Sequence, residues 1–174
     1  MRYFKKFLLI FSIIFFYHNI VLADTPYFLD FKLILNESEA GKKAQKYLKN
    51  KLENGIKNLK SKEKKLLEEE KKIISQKKIL APEEYKKKVS DLRSKVSKLQ
   101  QDRNTLLETV AKQRSKARNE LLKNLNPLIQ DYMNEKKIRM VVDKKSLLLA
   151  DENLNITKDI MSLLNKKLKS VSLE

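Results

Sequence analysis

Leucine or isoleucine recurs at every seventh position through Leu52, Leu59, Leu66, Ile73 and Leu80. After Ala81-Pro82 a second seven-residue series runs through Val89, Val96, Arg103, Val110 and Ala117, beside a third through Tyr85, Leu92, Leu99 and Leu106. A strict seven-residue repeat confines the apolar side chains of a helix to a narrow seam, whereas a helix of a globular domain carries a broader apolar face. The pattern predicts two long helices, over 39–79 and 82–137, folded back on each other at a tip near 80–83. Some 40 residues at 1.5 Å per residue give an arm of about 60 Å. Pro82 suits the first turn of the returning helix, and Glu83 and Glu84 complement its positive end. Ser38 is the best candidate for the N-cap of the outgoing one.

The seam changes along its length. Near the base it is dense, with Ala44, Tyr47, Leu48, Leu52, Ile56 and Leu59. Further out, the positions that alternate with Leu59, Leu66 and Ile73 are polar, held by Lys62 or Glu63, Glu69 or Glu70, and Gln76 or Lys77. The base can therefore pack into a multi-helix body, while the outer part has material only for a thin two-helix contact. Beyond Ala117 the spacing shifts to Leu121, Leu125, Leu128 and Tyr132, which is ordinary helix packing and marks the return to the body. Pro127 removes one helix hydrogen bond and predicts a kink. Gly55 lies within the seam despite lowering helix propensity by about 1 kcal/mol. It reads as a close approach of the two helices, with a flex point as the alternative. Deleting Lys57–Val89 is expected to shorten both legs of the hairpin to the same depth.

The flanks read differently. Pro26–Phe31 is rich in aromatics and predicts a strand, and 32–35 continues as a turn or short helix. Ile138–Val142 predicts a second strand and Ser146–Ala150 a third, with a turn at Asp143-Lys-Lys between them. Asp151–Asn155 reads as a loop. Thr157 is expected to cap a last helix over 158–169, with Ile160, Leu163, Leu164 and Leu168 as its apolar stripe. The fold class is thus α+β: a helical-hairpin, coiled-coil arm over 39–137 on a small body built from 24–38 and 138–174. Three short strands make a poor isolated sheet with open edges. Other copies of the chain are expected to complete it, with Phe28, Phe31, Val141 and Leu148 in the shared core.

Residues 1–23 look like an export signal: Arg2, Lys5 and Lys6, then an apolar run from Phe7 to Phe16 broken only by Ser12, then Val21-Leu22-Ala23 before Asp24. The run falls short of the roughly 20 residues a membrane span needs, and Tyr17-His18-Asn19 interrupts it, which favours a cleaved signal over an anchor. The chain has 39 basic and 22 acidic residues, a net charge of +17. Three of the cations lie in the signal, leaving +14 for the remainder. Such an excess attracts polyanions: nucleic acid, anionic lipid headgroups or acidic polypeptides. There is no cysteine, and the single histidine, His18, lies in the signal. Thiol chemistry and thiolate metal sites are excluded, and the exported chain has no imidazole for a triad, a base near neutrality or a metal. No pair of carboxylates stands out, and neither an enzyme nor a cofactor is expected.

In layout, the chain resembles the Skp/OmpH-like family of periplasmic chaperones. The first strand of that family is matched by Tyr27-Phe-Leu-Asp-Phe31, the second sheet segment by Met140-Val-Val-Asp143, and the opening of the last helix by Asn155-Ile-Thr157 followed by Asp159-Ile160. The family usually has aspartate where Asn155 stands. The resemblance implies a homotrimer whose β-barrel body carries three arms around a cavity, and that cavity holds unfolded outer-membrane proteins without ATP. It points to Leu66, Ile73, Val89 and Val96 on the arm, with Lys86, Lys87 and Lys88 near the tip, as client contacts. A lipopolysaccharide or anionic-membrane contact reported for some members would fall on Lys112, Arg114, Lys116 and Arg118, although the family's adjacent basic pair is not cleanly reproduced. Two rival readings share parts of this pattern. An exported structural coiled coil or adaptor needs the arm but not the strands. A nucleic-acid-binding protein needs the charge, but the chain has no recognition motif and carries an export signal.

Overall fold

The structure, a computed structural model, describes residues 25–173. The expected signal at 1–23 lies outside these. In chain order the elements are β1 (Tyr27–Leu29), α1 (Phe31–Glu37), α2 (Glu39–Ser75), α3 (Pro82–Lys136), β2 (Val141–Asp143), two single 3-10 turns (Lys144–Ser146 and Glu152–Leu154) and α4 (Thr157–Lys167).

The hairpin forms as its seven-residue repeats predict. Ser38 caps α2 by accepting from the Gly41 amide at 3.2 Å. Pro82 opens α3, which runs unbroken for 55 residues with Pro127 inside it. Ion pairs cross the legs at Lys62–Asp102 (2.6 Å), Glu69–Lys95 (2.6 Å) and Glu63–Arg103 (3.9 Å), which fixes their register. Gly55 lies under Leu106: a Cβ built there would sit 2.4 Å and 2.6 Å from the two leucine methyls. The glycine is a close approach, as the first of its two readings held. The same register corrects the expected deletion. Lys57 lies at the depth of the residues near Leu107 and not of Val89, so removing Lys57–Val89 takes unequal lengths from the legs. A matched cut spans Glu63–Gln101, between the Lys62–Asp102 pair.

The legs differ in length, 37 residues against 55. The surplus of α3 passes the start of α2 and becomes the spine of the body. Leu121 and Leu125 of that stretch join Leu29, Ile34, Ala40, Ile156, Ile160 and Leu164 in a core within one chain. A second cluster, at the arm's base, holds Ala44, Leu48, Val110, Ala117 and Leu173. Gly41 lets α1 and α2 meet at a sharp corner, where a Cβ would stand 2.1 Å from the Leu35 carbonyl oxygen.

β1 and β2 pair in parallel, Tyr27 beside Val141 and Leu29 beside Asp143, with the whole hairpin as their crossover. A single parallel bridge adds Asn155 beside Phe28. Four expectations fail here. Phe31 starts a helix and does not end a strand, because the Asp30 carboxylate accepts from the Leu33 amide at 2.8 Å and caps α1. Ser146–Ala150 is no strand: Asp143 accepts from the Lys145 amide at 3.3 Å, the chain turns, and Leu148 and Leu149 emerge fully or nearly fully exposed. Thr157 does not cap the last helix but begins it. Its hydroxyl accepts from the Asp30 amide at 2.9 Å, tying α4 to β1, and the amide of Thr157 donates to Asn155 Oδ1 at 3.1 Å. α4 also ends earlier than predicted, at Lys167 rather than 169.

Candidate functional site

A two-helix arm buries one stripe per helix and exposes the rest. Leu59 and Ile73 on α2 and Val110 and Ala117 on α3 fill the seam. Beside the seam lies a second apolar row with nothing over it: Leu67 (53% exposed) and Ile74 (60%) on α2, Val96 (51%) and Leu107 (53%) on α3, and Ile79 (83%) at the tip. Intervals of seven and eleven residues keep each helix's members on one face. Lysines stand among them, so the arm presents apolar side chains in a cationic field.

The contact residues expected from the sequence divide accordingly. Val96 is exposed, Leu66 and Val89 are half-buried, and Ile73 is buried in the seam. Its neighbour Ile74 faces outward in its place. Lys86 and Lys87 are exposed, while Lys88 is half-buried and lies 3.8 Å from Glu84 one turn back. Leu67, Ile74, Ile79 and Leu107 were missed because seven-residue counting sought the seam. For three of them the signal is the residue that follows a seam leucine or isoleucine, Leu66-Leu67, Ile73-Ile74 and Leu106-Leu107; Ile79 instead precedes Leu80.

Across the legs, Lys62 holds the Asp102 carboxyl below the usual carboxylate range, chiefly through its hydrogen bond and against a smaller desolvation effect. Pairs this exposed contribute little stability. Their role is register, which decides which apolar side chains are left outside.

At the base, a groove of about 780 Å³ runs between α2 and α3. Ala44, Leu48, Leu52, Ala117 and Leu121 form its apolar lining, and Lys42, Lys46, Lys49, Arg114 and Arg118 a mainly cationic rim in which Glu37 pairs with Lys42 at 3.0 Å. Arg114 and Arg118 are brought together here, one turn apart. Lys112 and Lys116, also exposed, do not line it. The three lysines of the rim were not anticipated; their spacing of four and three residues on α2 was the available signal. A smaller groove of about 520 Å³ shares Arg118 and adds Phe31, Lys144 and Lys145.

The four residues expected in a shared core are placed unevenly. Phe28 is buried within its own chain, with the Lys144 ammonium 5.8 Å from its ring centre. Phe31 and Val141 pack half-buried against the body core. Leu148 alone is fully exposed. Among the described residues no cluster of three or more His, Cys, Asp or Glu side chains could hold a metal, and no helix is long and apolar enough to cross a membrane.

The sequence profile of the outer membrane protein (OmpH-like) family matches residues 27–164, from β1 into α4. The chain belongs to the OmpH-like family. The OmpH-like architecture is seen also in a solved structure from Caulobacter crescentus, described as a candidate OmpH-like outer membrane chaperone. That structure has a TM-score of 0.79 and 20% sequence identity, over 85% of this chain and 89% of the other. No curated protein matches the sequence. At this identity the solved structure speaks for the fold. The long hairpin on a small body is thus an OmpH-like feature.

Proposed function

We propose that this OmpH-like chain is a periplasmic holdase: without ATP it binds unfolded outer-membrane proteins between helical arms and keeps them from aggregating. The observation that carries the reading is the uncovered apolar row beside the seam, set among lysines on an arm that extends beyond any core. Scattered apolar contacts suit a client with no fixed shape, and the net positive charge steers acidic unfolded chains toward the arms. In this reading three copies join through their bodies, and no step is catalysed. The outer edge of β2, unpaired among the described residues, and the exposed Leu148-Leu149 support such joining. The test dilutes an unfolded β-barrel membrane protein from urea and follows light scattering with and without the chain, alongside its mass by sedimentation. Suppressed scattering by a species of three copies is the expected result. Unsuppressed scattering, or a stable monomer, overturns the corresponding half of the reading.

The groove at the base supports a second ligand. An apolar lining with a basic rim fits an anionic amphiphile such as lipopolysaccharide, with Arg114 and Arg118 on its phosphates and the half-buried Leu52 on its acyl chains. The double variant Arg114→Glu, Arg118→Glu should lose binding to lipopolysaccharide micelles, and Lys112→Glu should not.

A further inference from the structure

The segment after α4 does not hang free. The Leu168 amide ends the helix on the Leu164 carbonyl at 2.8 Å, and the chain then runs without helix or strand toward the arm. Val171 packs against both hydrophobic clusters, and Leu173 is buried (6% exposed) among Ala44, Leu48, Val110 and Ala117 at the base of the hairpin. Gln113 Nε2 of α3 donates to the Leu173 carbonyl. Lys169 pairs with Glu39 at 3.0 Å, and the Glu39 amide donates to Asn165 Oδ1 at 2.8 Å. One short segment therefore touches both legs of the arm and the body.

Its pattern resembles that of a client. Val171 and Leu173 face the protein, while Ser170 and Ser172 are exposed. Over its four residues the segment matches a short stretch of the longer apolar–polar alternation, about ten residues per strand, that an unfolded outer-membrane barrel carries. Ala44, Leu48 and Ala117, against which Leu173 packs, also contribute to the wall of the neighbouring groove. The contact is poorly satisfied on one side: Gln113 Oε1 is buried and has no hydrogen-bond partner among the described residues. An unpaired buried acceptor favours release over a permanent dock.

We propose that residues 170–173 form a strap that occupies a client-binding position at the base of the hairpin and is displaced by an extended apolar segment of a bound client. The proposal rests on the holdase reading. An internal occupant lowers apparent affinity by the fraction of molecules in which the site is open. Removing it tightens binding without adding a contact.

The experiment uses the full chain after the signal and an unfolded barrel protein diluted from urea. Two variants loosen the strap: deletion of residues 171–174, and Gln113→Glu, which replaces the amide donor with a carboxylate and leaves the apolar surface intact. Helicity and mass are checked for each. Both variants should hold the client about tenfold more tightly than the parent, the reciprocal of an open fraction of about one tenth. The chain has no cysteine, so spin labels on Ser115→Cys and Ser172→Cys, diluted with unlabelled protein, report the strap directly. Their distance distribution should be narrow alone and broad with client. Unchanged or weaker affinity in both variants, or a distribution that the client leaves narrow, overturns the strap. Should one variant fail to fold, the other and the label distances still decide. Failure of the parent itself to suppress aggregation overturns the holdase reading and the strap with it, whereas suppression by the parent with no response to either variant overturns the strap alone.

Discussion

Gly55→Ala sets two physical effects against each other at the one place where the arm's legs come closest. In an open helix the change would stabilise by about 1 kcal/mol, because alanine loses less backbone entropy than glycine. Here the new Cβ meets Leu106 at 2.4, 2.6 and 3.1 Å. Rotating the leucine's outer torsion can move the methyls, but the 3.1 Å contact is to Cγ, so the leucine stem or the facing helix must also give by a few tenths of an ångström. Overpacking of this kind costs about 1–3 kcal/mol. The clash therefore cancels or exceeds the propensity gain, and the expected net change lies between zero and about 2 kcal/mol of destabilisation. Truncating the partner removes the clash but not the gain. In a Leu106→Ala background, Gly55→Ala should stabilise by about 1 kcal/mol, so the cycle should show a coupling of about 1–3 kcal/mol. The assay is urea unfolding followed by circular dichroism at 222 nm, with all four proteins at one protomer concentration because assembly contributes to stability. Additive changes, with Gly55→Ala stabilising in both backgrounds, would refute the close approach and restore the flex-point reading.

Gly41→Ala should cost more than Gly55→Ala in the same assay, because its Cβ meets the Leu35 backbone oxygen at 2.1 Å and a backbone cannot rotate aside; equal costs would sink this distinction. Tyr132 donates to Asp159 at 2.8 Å, and burial first and that hydrogen bond second push its phenol up to about 12. A raised folded value favours the neutral phenol, so its contribution is complete below the ordinary value of about 10 and is lost as pH rises from there through about 12. The stability difference between the parent and Tyr132→Phe, measured by urea unfolding, should thus be flat from pH 7 to 9 and shrink above 10; a difference that grows in that range contradicts it. Replacing Glu63–Gln101 by a short glycine linker should leave body assembly intact by sedimentation and weaken holding of large clients, whereas loss of assembly would show that the arms are needed for it. Changing Lys86 and Lys87 to glutamate, or raising salt, should slow client association several-fold with a smaller effect on dissociation; equal association rates at low and high salt would remove steering from the mechanism.

The hairpin was legible from residue spacing alone. Seven-residue spacing is a property of the helix, so Leu52 to Leu80 and Val89 to Ala117 announced two seams, and Ser38, Pro82 and the shift at Leu121 marked where they begin, turn and rejoin the body. Charge likewise needs no fold to be counted. The body was less legible, because its elements are short and are decided by single side-chain hydrogen bonds. Asp30 turned Phe31 into a helix start, and Asp143 ended what Ser146–Ala150 was expected to continue. Pairing of β1 with β2 joins residues more than a hundred positions apart, and no local pattern carries that register. The apolar row at Leu67, Ile74 and Leu107 depended on the leg register fixed by Lys62–Asp102 and Glu69–Lys95: the same leucines would be core if the legs were rotated slightly. The basic groove, with lysines from one leg and arginines from the other, and the strap ending in Leu173 exist only once distant segments are brought together. Exposure is a relation between elements, and tertiary packing alone sets it.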